Sequence, residues 1–124
     1  MIAADTSTLV AFLGGDRGRD VDLLDEALGH GQLCLPPVVI SEILSAPEAK
    51  LRLEEILAAL PILTIDDGYW HRAGRMRSSL LARGYKARLA DTLISQSCLD
   101  HGVELLTRDA DFRHFAKHCG LLLA

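Results

Sequence analysis

The sequence predicts a single α/β domain over residues 1–124, with a central, mostly parallel sheet of four to five strands between layers of helices. Short apolar runs alternate with longer amphipathic stretches along the chain. Glycines and prolines separate these segments, as they do where helices end or begin. Acidic residues stand just after the apolar runs or near the helix starts. Strands that alternate with helices are typical of a parallel sheet covered by helices.

Five short apolar segments predict the strands. Each has only three or four residues, which suits a buried strand better than a helix. The pair Pro36-Pro37 closes the second segment, and the third follows Pro61, which stops the preceding helix. In chain order, the predicted strands cover residues 2–4, 32–35, 62–65, 104–106 and 121–123.

Seven further stretches predict helices. In the fourth, Leu53, Ile56 and Leu60 recur with helical spacing. Either Asp66 or Asp67 is predicted to cap the fifth, which ends near residue 84. In chain order, the predicted helices cover residues 8–13, 21–28, 38–45, 48–60, 69–84, 89–99 and 109–118.

The composition indicates a globular protein of the cytoplasm. Of 124 residues, 49% are hydrophobic and 24% are charged, which excludes a disordered chain. No apolar run approaches the roughly 20 residues of a membrane-spanning helix, and no basic segment precedes Asp5 as in a secretory signal. Cys34, Cys98 and Cys119 are widely spaced and odd in number, which fits reduced thiols. We therefore expect no membrane partner.

Charge is distributed unevenly along the chain, although the net charge is −4. Residues 1–67 contain four basic and twelve acidic side chains, whereas residues 68–124 contain nine basic and five acidic ones. Residues 68–90 contain six basic side chains and no acidic one. An acidic protein can therefore still present a positive face to phosphate groups, although a solvated helix face explains the same charges.

The acidic residues point to a functional edge of the sheet, because ligands of open α/β folds bind beyond the carboxyl ends of the strands. Asp5 follows the first strand, and Glu42 lies in the helix after the second. Asp91 lies at the start of a helix, and Asp109 and Asp111 follow the fourth strand. Each alone could cap a helix or face solvent. Gathered together, they would repel one another unless a cation bound there, and all-oxygen ligands suit Mg²⁺ or Mn²⁺.

Four segments in this order resemble the PIN domain family, and within it the small VapC-like toxins. They are an opening strand with Asp-Thr-Ser, a helix with a glutamate, a helix with a third acid, and a closing Thr-x-Asp-x-Asp-Phe segment. In this sequence they occupy residues 1–7, 37–44, 89–94 and 105–112. The resemblance extends along the whole chain and implies a PIN-like three-layer α/β/α fold.

The resemblance also implies a function. It implies a Mg²⁺- or Mn²⁺-dependent endoribonuclease that is the toxin of a toxin–antitoxin pair, with an RNA substrate, a cognate antitoxin and a homodimeric state. The implied ligands of one or two ions are Asp5, Glu42, Asp91 and Asp109. Asp111 is implied as a fifth ligand or an outer group, and the hydroxyls of Thr6 and Thr107 as groups that orient ligands or water.

Several alternatives stay open at this point. Arg88 and Arg108 are near the acids in sequence and could hold RNA phosphates, but ordinary surface charge is an equal explanation. A PIN domain could process RNA without an antitoxin, or bind RNA or protein without catalysis. A doubly wound small-molecule or phosphoacceptor domain is not supported, because the chain has no glycine-rich phosphate loop and no lysine that directly follows a predicted strand. His114 and His118 share a helix face, which alone is weak support for a soft-metal site.

Overall fold

A three-stranded parallel sheet forms the centre of the molecule. The structure, a computed structural model, describes residues 1–46 and 51–124, and of residues 51–53 only the backbone. Strand β1 (Ile2–Ala4) lies between β2 (Leu33–Cys34) and β3 (Glu104–Leu106), and both pairings are parallel. The predicted α/β architecture with a parallel sheet is confirmed.

The predicted number of four to five strands is wrong for the described residues, which form three. The segments predicted as strands at 62–65 and 121–123 each make a single parallel bridge, from Ile62 to Leu35 and from Leu123 to Leu105. Both segments lie at the sheet edges and are largely exposed, with Ile62 at 47% and Leu123 at 39% exposure. Longer pairing there would bury little additional apolar surface, so each edge ends after one bridge.

Seven α-helices are found in the described residues, and most match the predicted positions. Their bounds are α1 Thr6–Leu13, α2 Arg19–Gly29, α3 Pro37–Leu44, α4 Leu51–Ala59, α5 Tyr69–Ala82, α6 Leu89–His101 and α7 Arg113–Cys119. The predicted last helix is divided into a 3-10 turn, Ala110–Phe112, and α7. The predicted start of the fourth helix at residue 48 lies outside the described residues.

The start of α5 differs from the prediction. Neither Asp66 nor Asp67 caps it with a side chain, because Gly68 occupies the N-cap position at φ +82°. The Asp66 carboxylate instead accepts a hydrogen bond from Thr64, and the Asp67 carbonyl accepts one from Arg72. A glycine takes this left-handed conformation without the strain that a side chain would cause.

Helix α6 is largely buried, with seven of its residues in the interior. It packs against α5, α3 and β3, and it buries polar residues that include Ser95, Gln96 and Ser97. Tyr69 of α5 donates a 2.7 Å hydrogen bond to the Leu93 carbonyl, and its hydroxyl accepts one from Ser97. These contacts hold α6 in place and so set the position of its first turn beside the sheet.

The three cysteines form no disulfide. Cys34 and Cys98 are buried in the hydrophobic core, and Cys119 is half-buried. Among the described residues, no helix combines the length and the apolar character needed to cross a membrane.

Candidate metal centre

Asp5 lies at the carboxyl end of β1 and is 3% exposed. Its Oδ1 accepts hydrogen bonds from the Thr8 amide at 3.0 Å and the Ser7 hydroxyl at 2.8 Å. Its Oδ2 accepts from Ser7 at 2.9 Å and from Thr107 at 2.6 Å. The side chain therefore caps α1, as the capping alternative expected, and at the same time faces the loop after β3. Burial raises the pKa of Asp5, against the opposing effect of these hydrogen bonds.

Asp91 lies in the first turn of α6 and is 9% exposed. Its Oδ2 is buried and accepts no hydrogen bond from any described residue. Burial, followed by the negative charges of Asp109, Glu42 and Asp111, raises the pKa of Asp91 to about 6, while Arg88 lowers it. A buried carboxylate oxygen without a partner is unfavourable, and a bound cation would satisfy it.

Asp109 and Asp111 are brought to Asp91 by the turn that follows β3. The Asp109 amide donates to the Thr107 hydroxyl at 3.0 Å, and the Asp111 amide donates to Asp109 Oδ1 at 2.9 Å. This capped 3-10 turn directs both carboxylates to the same side. Asp91, Asp109 and Asp111 each offer an oxygen, and these oxygens lie within 4.8 Å of one another. We name this set the three-acid group.

Glu42 and Thr6 stand beside the three-acid group without belonging to it. The Thr6 hydroxyl donates to Glu42 Oε1 at 2.7 Å, which joins the start of α1 to α3. The charge of Glu42 contributes to the raised pKa of Asp91, and the charge of Asp109 contributes to that of Asp5. The five predicted acids thus share one region, but only three of them are close enough to offer oxygens to one small ion.

The chemistry of this region is that of a hard-cation site. The donor atoms are carboxylate oxygens, and the structure places no cysteine or histidine in the three-acid group. Oxygen-only ligands suit Mg²⁺ and Mn²⁺, whereas Zn²⁺ sites commonly include nitrogen or sulfur.

Comparison with known proteins identifies the family. The sequence model of the PIN domain family matches residues 2–118 of this chain. The chain belongs to the PIN domain family. This PIN domain is 32% identical over 133 aligned positions to the VapC ribonuclease Mb1587 of Mycobacterium bovis and to ribonuclease VapC11 of Mycobacterium tuberculosis. Each alignment covers 100% of this chain and 98% of the relative.

Solved structures support the same fold. A toxin–antitoxin complex from Klebsiella pneumoniae contains a chain that matches this PIN domain with a TM-score of 0.71 and 22% identity, over 98% of this chain and 96% of that one. A chain of VapBC2 from Rickettsia felis, solved with a DNA fragment from the promoter, matches with a TM-score of 0.76 and 17% identity. That match covers 100% of this chain and 98% of the other.

The two arginines predicted near the acids of this PIN domain differ in their contacts. Arg88 is exposed at the N-cap of α6, close enough to lower the pKa of both Asp91 and Asp111. Arg108 instead donates two hydrogen bonds to Asp20, at 2.8 and 2.9 Å, which lower the pKa of Asp20 to about 2. Arg108 is thus tied to the start of α2 rather than to the three-acid group.

Sequence reasoning missed Lys86 as a residue of this region. Its Nζ lies 2.9 Å from Asp111 Oδ2, although no strand precedes it directly. The basic stretch over residues 68–90 was a signal for it, but nothing in the sequence distinguishes Lys86 from the five arginines of that stretch.

Proposed function

We propose that this PIN domain is an endoribonuclease that hydrolyses phosphodiester bonds in RNA and depends on Mg²⁺ or Mn²⁺. The observation that carries the proposal is the three-acid group, with its oxygens within 4.8 Å and the unpartnered buried oxygen of Asp91. Like charges held this close are stabilised by a bound cation. The names of the mycobacterial relatives, both ribonucleases, support the same activity.

The proposed roles follow from the contacts of each residue. Asp91, Asp109 and Asp111 supply oxygen ligands, and Asp5 and Glu42 complete the negative surface around them. A divalent ion bound there would orient a phosphate, lower the pKa of a water molecule and stabilise the leaving oxygen.

Two threonines are proposed as positioning residues. The Thr107 hydroxyl holds the Asp5 carboxylate, and the Thr6 hydroxyl holds the Glu42 carboxylate. Both acids are thereby held in place beside the three-acid group before any ligand arrives, as outer groups of a metal site commonly are. Arg88 is proposed to contact a phosphate beside the cleaved bond. The pairing of Arg108 with Asp20 favours a structural role over phosphate contact.

The decisive experiment is cleavage of a mixed RNA pool by the purified protein in Mn²⁺, in Mg²⁺ and in EDTA. Asp91→Asn should reduce cleavage by at least about 100-fold, because outer groups of metal sites alone contribute 10- to 100-fold. Asp22→Asn, an exposed first-turn residue of α2, is the matched control and should cut like wild type. Cleavage that persists in EDTA or in Asp91→Asn would overturn the proposal.

We further propose that the protein acts in the cytoplasm as a homodimeric toxin that a cognate antitoxin neutralises. The matching solved structures, which are toxin–antitoxin complexes, support an antitoxin partner. Induced expression of wild type in a bacterium should stop growth, whereas Asp91→Asn should not. Light scattering should give twice the 13.5 kDa mass of one chain. Normal growth with wild type at high expression would favour an RNA-processing nuclease without a toxin role.

A further inference from the structure

Lys86 places a positive charge directly on the three-acid group. Its Nζ lies 2.9 Å from Asp111 Oδ2, and its side chain is 51% exposed. Asp111 is one of the acids that offer an oxygen to a cation. The ammonium group therefore occupies a carboxylate that a divalent ion would also use.

The backbone around Lys86 is held on both sides. Before it, the Tyr85 ring stacks on His118 with 4.5 Å between ring centroids and lies 5.0 Å from His114. After it, Ala87 is 3% exposed, and its carbonyl accepts a 2.8 Å hydrogen bond from Arg77. The loop thus fixes where the Lys86 side chain begins, while about half of that side chain is exposed to solvent.

Stability does not explain this ion pair. Exposed lysine–carboxylate pairs contribute little to folding, because water screens them and the long side chain loses rotamer freedom. A lysine ammonium is a compact charge on a flexible stem, so it can exchange one anionic partner for another. Two cations on one carboxylate repel each other, so a divalent ion at Asp111 would favour release of the ammonium.

We propose that Lys86 is the internal counter-ion of the three-acid group and becomes an RNA-phosphate-binding residue when a divalent cation displaces it from Asp111. This inference rests on the proposed function. The released ammonium would lie beside Arg88, whose charge already acts on Asp91 and Asp111. The anion that arrives next at these two positive groups is a phosphate of the bound strand.

Two consequences distinguish this role from ordinary surface charge. Removal of the Lys86 charge should make cation binding tighter, since the ion no longer competes with an ammonium group. The same change should weaken RNA binding mainly when the cation is present, because without it Lys86 stays on Asp111.

The test uses Lys86→Gln, Lys86→Arg to retain the charge, and Lys117→Gln as a control at an exposed lysine on α7. Calorimetry with Mn²⁺ alone should give a Kd about three- to tenfold lower for Lys86→Gln. Lys86→Arg and Lys117→Gln should bind Mn²⁺ like wild type. Urea unfolding in EDTA confirms that each variant is folded.

The second readout is anisotropy of a fluorescent single-stranded RNA, recorded before cleavage begins. In Mn²⁺, Lys86→Gln should raise the RNA Kd about three- to tenfold and reduce the salt dependence by about one phosphate contact. In EDTA, the change should be less than about twofold.

An unchanged or weaker Mn²⁺ affinity, or an equal RNA effect with and without Mn²⁺, would overturn the Lys86 role. If wild type binds no Mn²⁺, the proposed function fails as well. If wild type binds Mn²⁺ and cuts RNA while Lys86→Gln behaves like Lys117→Gln, only this inference fails.

Discussion

The Asp5 side chain does two things at once, and its hydrogen bonds explain how. A carboxylate that is 3% exposed needs partners for both oxygens, and Ser7, Thr8 and Thr107 supply them. Capping α1 is therefore compatible with a place in the negative surface around the three-acid group. The same side chain that begins the helix also presents negative charge to the loop after β3.

At the residue scale, we predict that Thr107→Val destabilises the protein by about 1 to 3 kcal/mol. Valine has nearly the shape of threonine, but it leaves buried Asp5 Oδ2 without its 2.6 Å donor. Urea unfolding at neutral pH measures the change. Thr64→Val is the matched control, since its hydroxyl donates to Asp66 in an exposed pair, and it should change stability by less than about 0.5 kcal/mol. Equal effects of the two substitutions would show that the Asp5 hydrogen bond is unimportant.

Some of the candidate site is predictable from sequence at this scale, and some is not. Asp5, Asp109 and Asp111 each follow a strand, so the local pattern suffices to place them at the sheet edge. The pairing of Lys86 with Asp111 depends on how a loop packs against α7, and no local pattern encodes that packing. The same holds for Arg108 and Asp20, which are 88 residues apart in the chain.

Among the elements, the pair α5 and α6 controls the position of Asp91. Tyr69 and Arg72 of α5 both bond to α6, the former to the Leu93 carbonyl and the latter to Asp100. Gln96 donates a further hydrogen bond to Asp100 at 2.8 Å. Because Asp91 lies in the first turn of α6, any movement of that helix moves a member of the three-acid group.

We predict at the element scale that Tyr69→Phe destabilises the protein by about 1 kcal/mol. Tyr69 is only 2% exposed, and the substitution keeps its buried ring. It removes the 2.7 Å hydrogen bond from the hydroxyl to the Leu93 carbonyl of α6. Tyr85→Phe serves as control, because no hydrogen bond of the Tyr85 hydroxyl occurs among the described residues. Thermal unfolding of both variants in EDTA measures the difference. A loss no larger than that of Tyr85→Phe would contradict the prediction.

The elements themselves were largely predictable because apolar periodicity reflects burial. It located the three strands of the sheet and most helices, whose ends differ from the predictions by a few residues. It failed at the sheet edges, where residues 62 and 123 are apolar but exposed and pair only once. It also missed the role of Gly68, because capping by a left-handed glycine depends on backbone geometry rather than on side-chain pattern.

At the scale of the whole molecule, the three-acid group makes the free energy of unfolding depend on pH. Folded Asp91 has a pKa of about 6, above its ordinary value of 3.8. Between these two values, the folded state holds a proton that the unfolded state has released. The stability that this group contributes is therefore fully present below about pH 4 and is lost as the pH rises through about 6.

We predict that Asp91→Asn becomes more stable than wild type as the pH rises, by about 1 to 3 kcal/mol above pH 6 in EDTA. The amide carries no charge, so it avoids both the burial of an ion and the repulsion from neighbouring acids. Urea unfolding between pH 4 and pH 8 measures the difference. Asp20→Asn should instead be less stable than wild type throughout this pH range, because Arg108 lowers the pKa of Asp20 to about 2 and the folded state thereby favours its charged form. A stability difference between Asp91→Asn and wild type that stays constant with pH would refute the prediction.

The two core cysteines, Cys34 and Cys98, can report on opening of the native fold. Burial raises the pKa of Cys98 to about 12 and also raises that of Cys34, which disfavours the reactive thiolate of both residues in the native protein. An alkylating reagent reaches them only when the sheet and α6 separate. The rate of their modification therefore measures how often the native core comes apart, without any substitution in the chain.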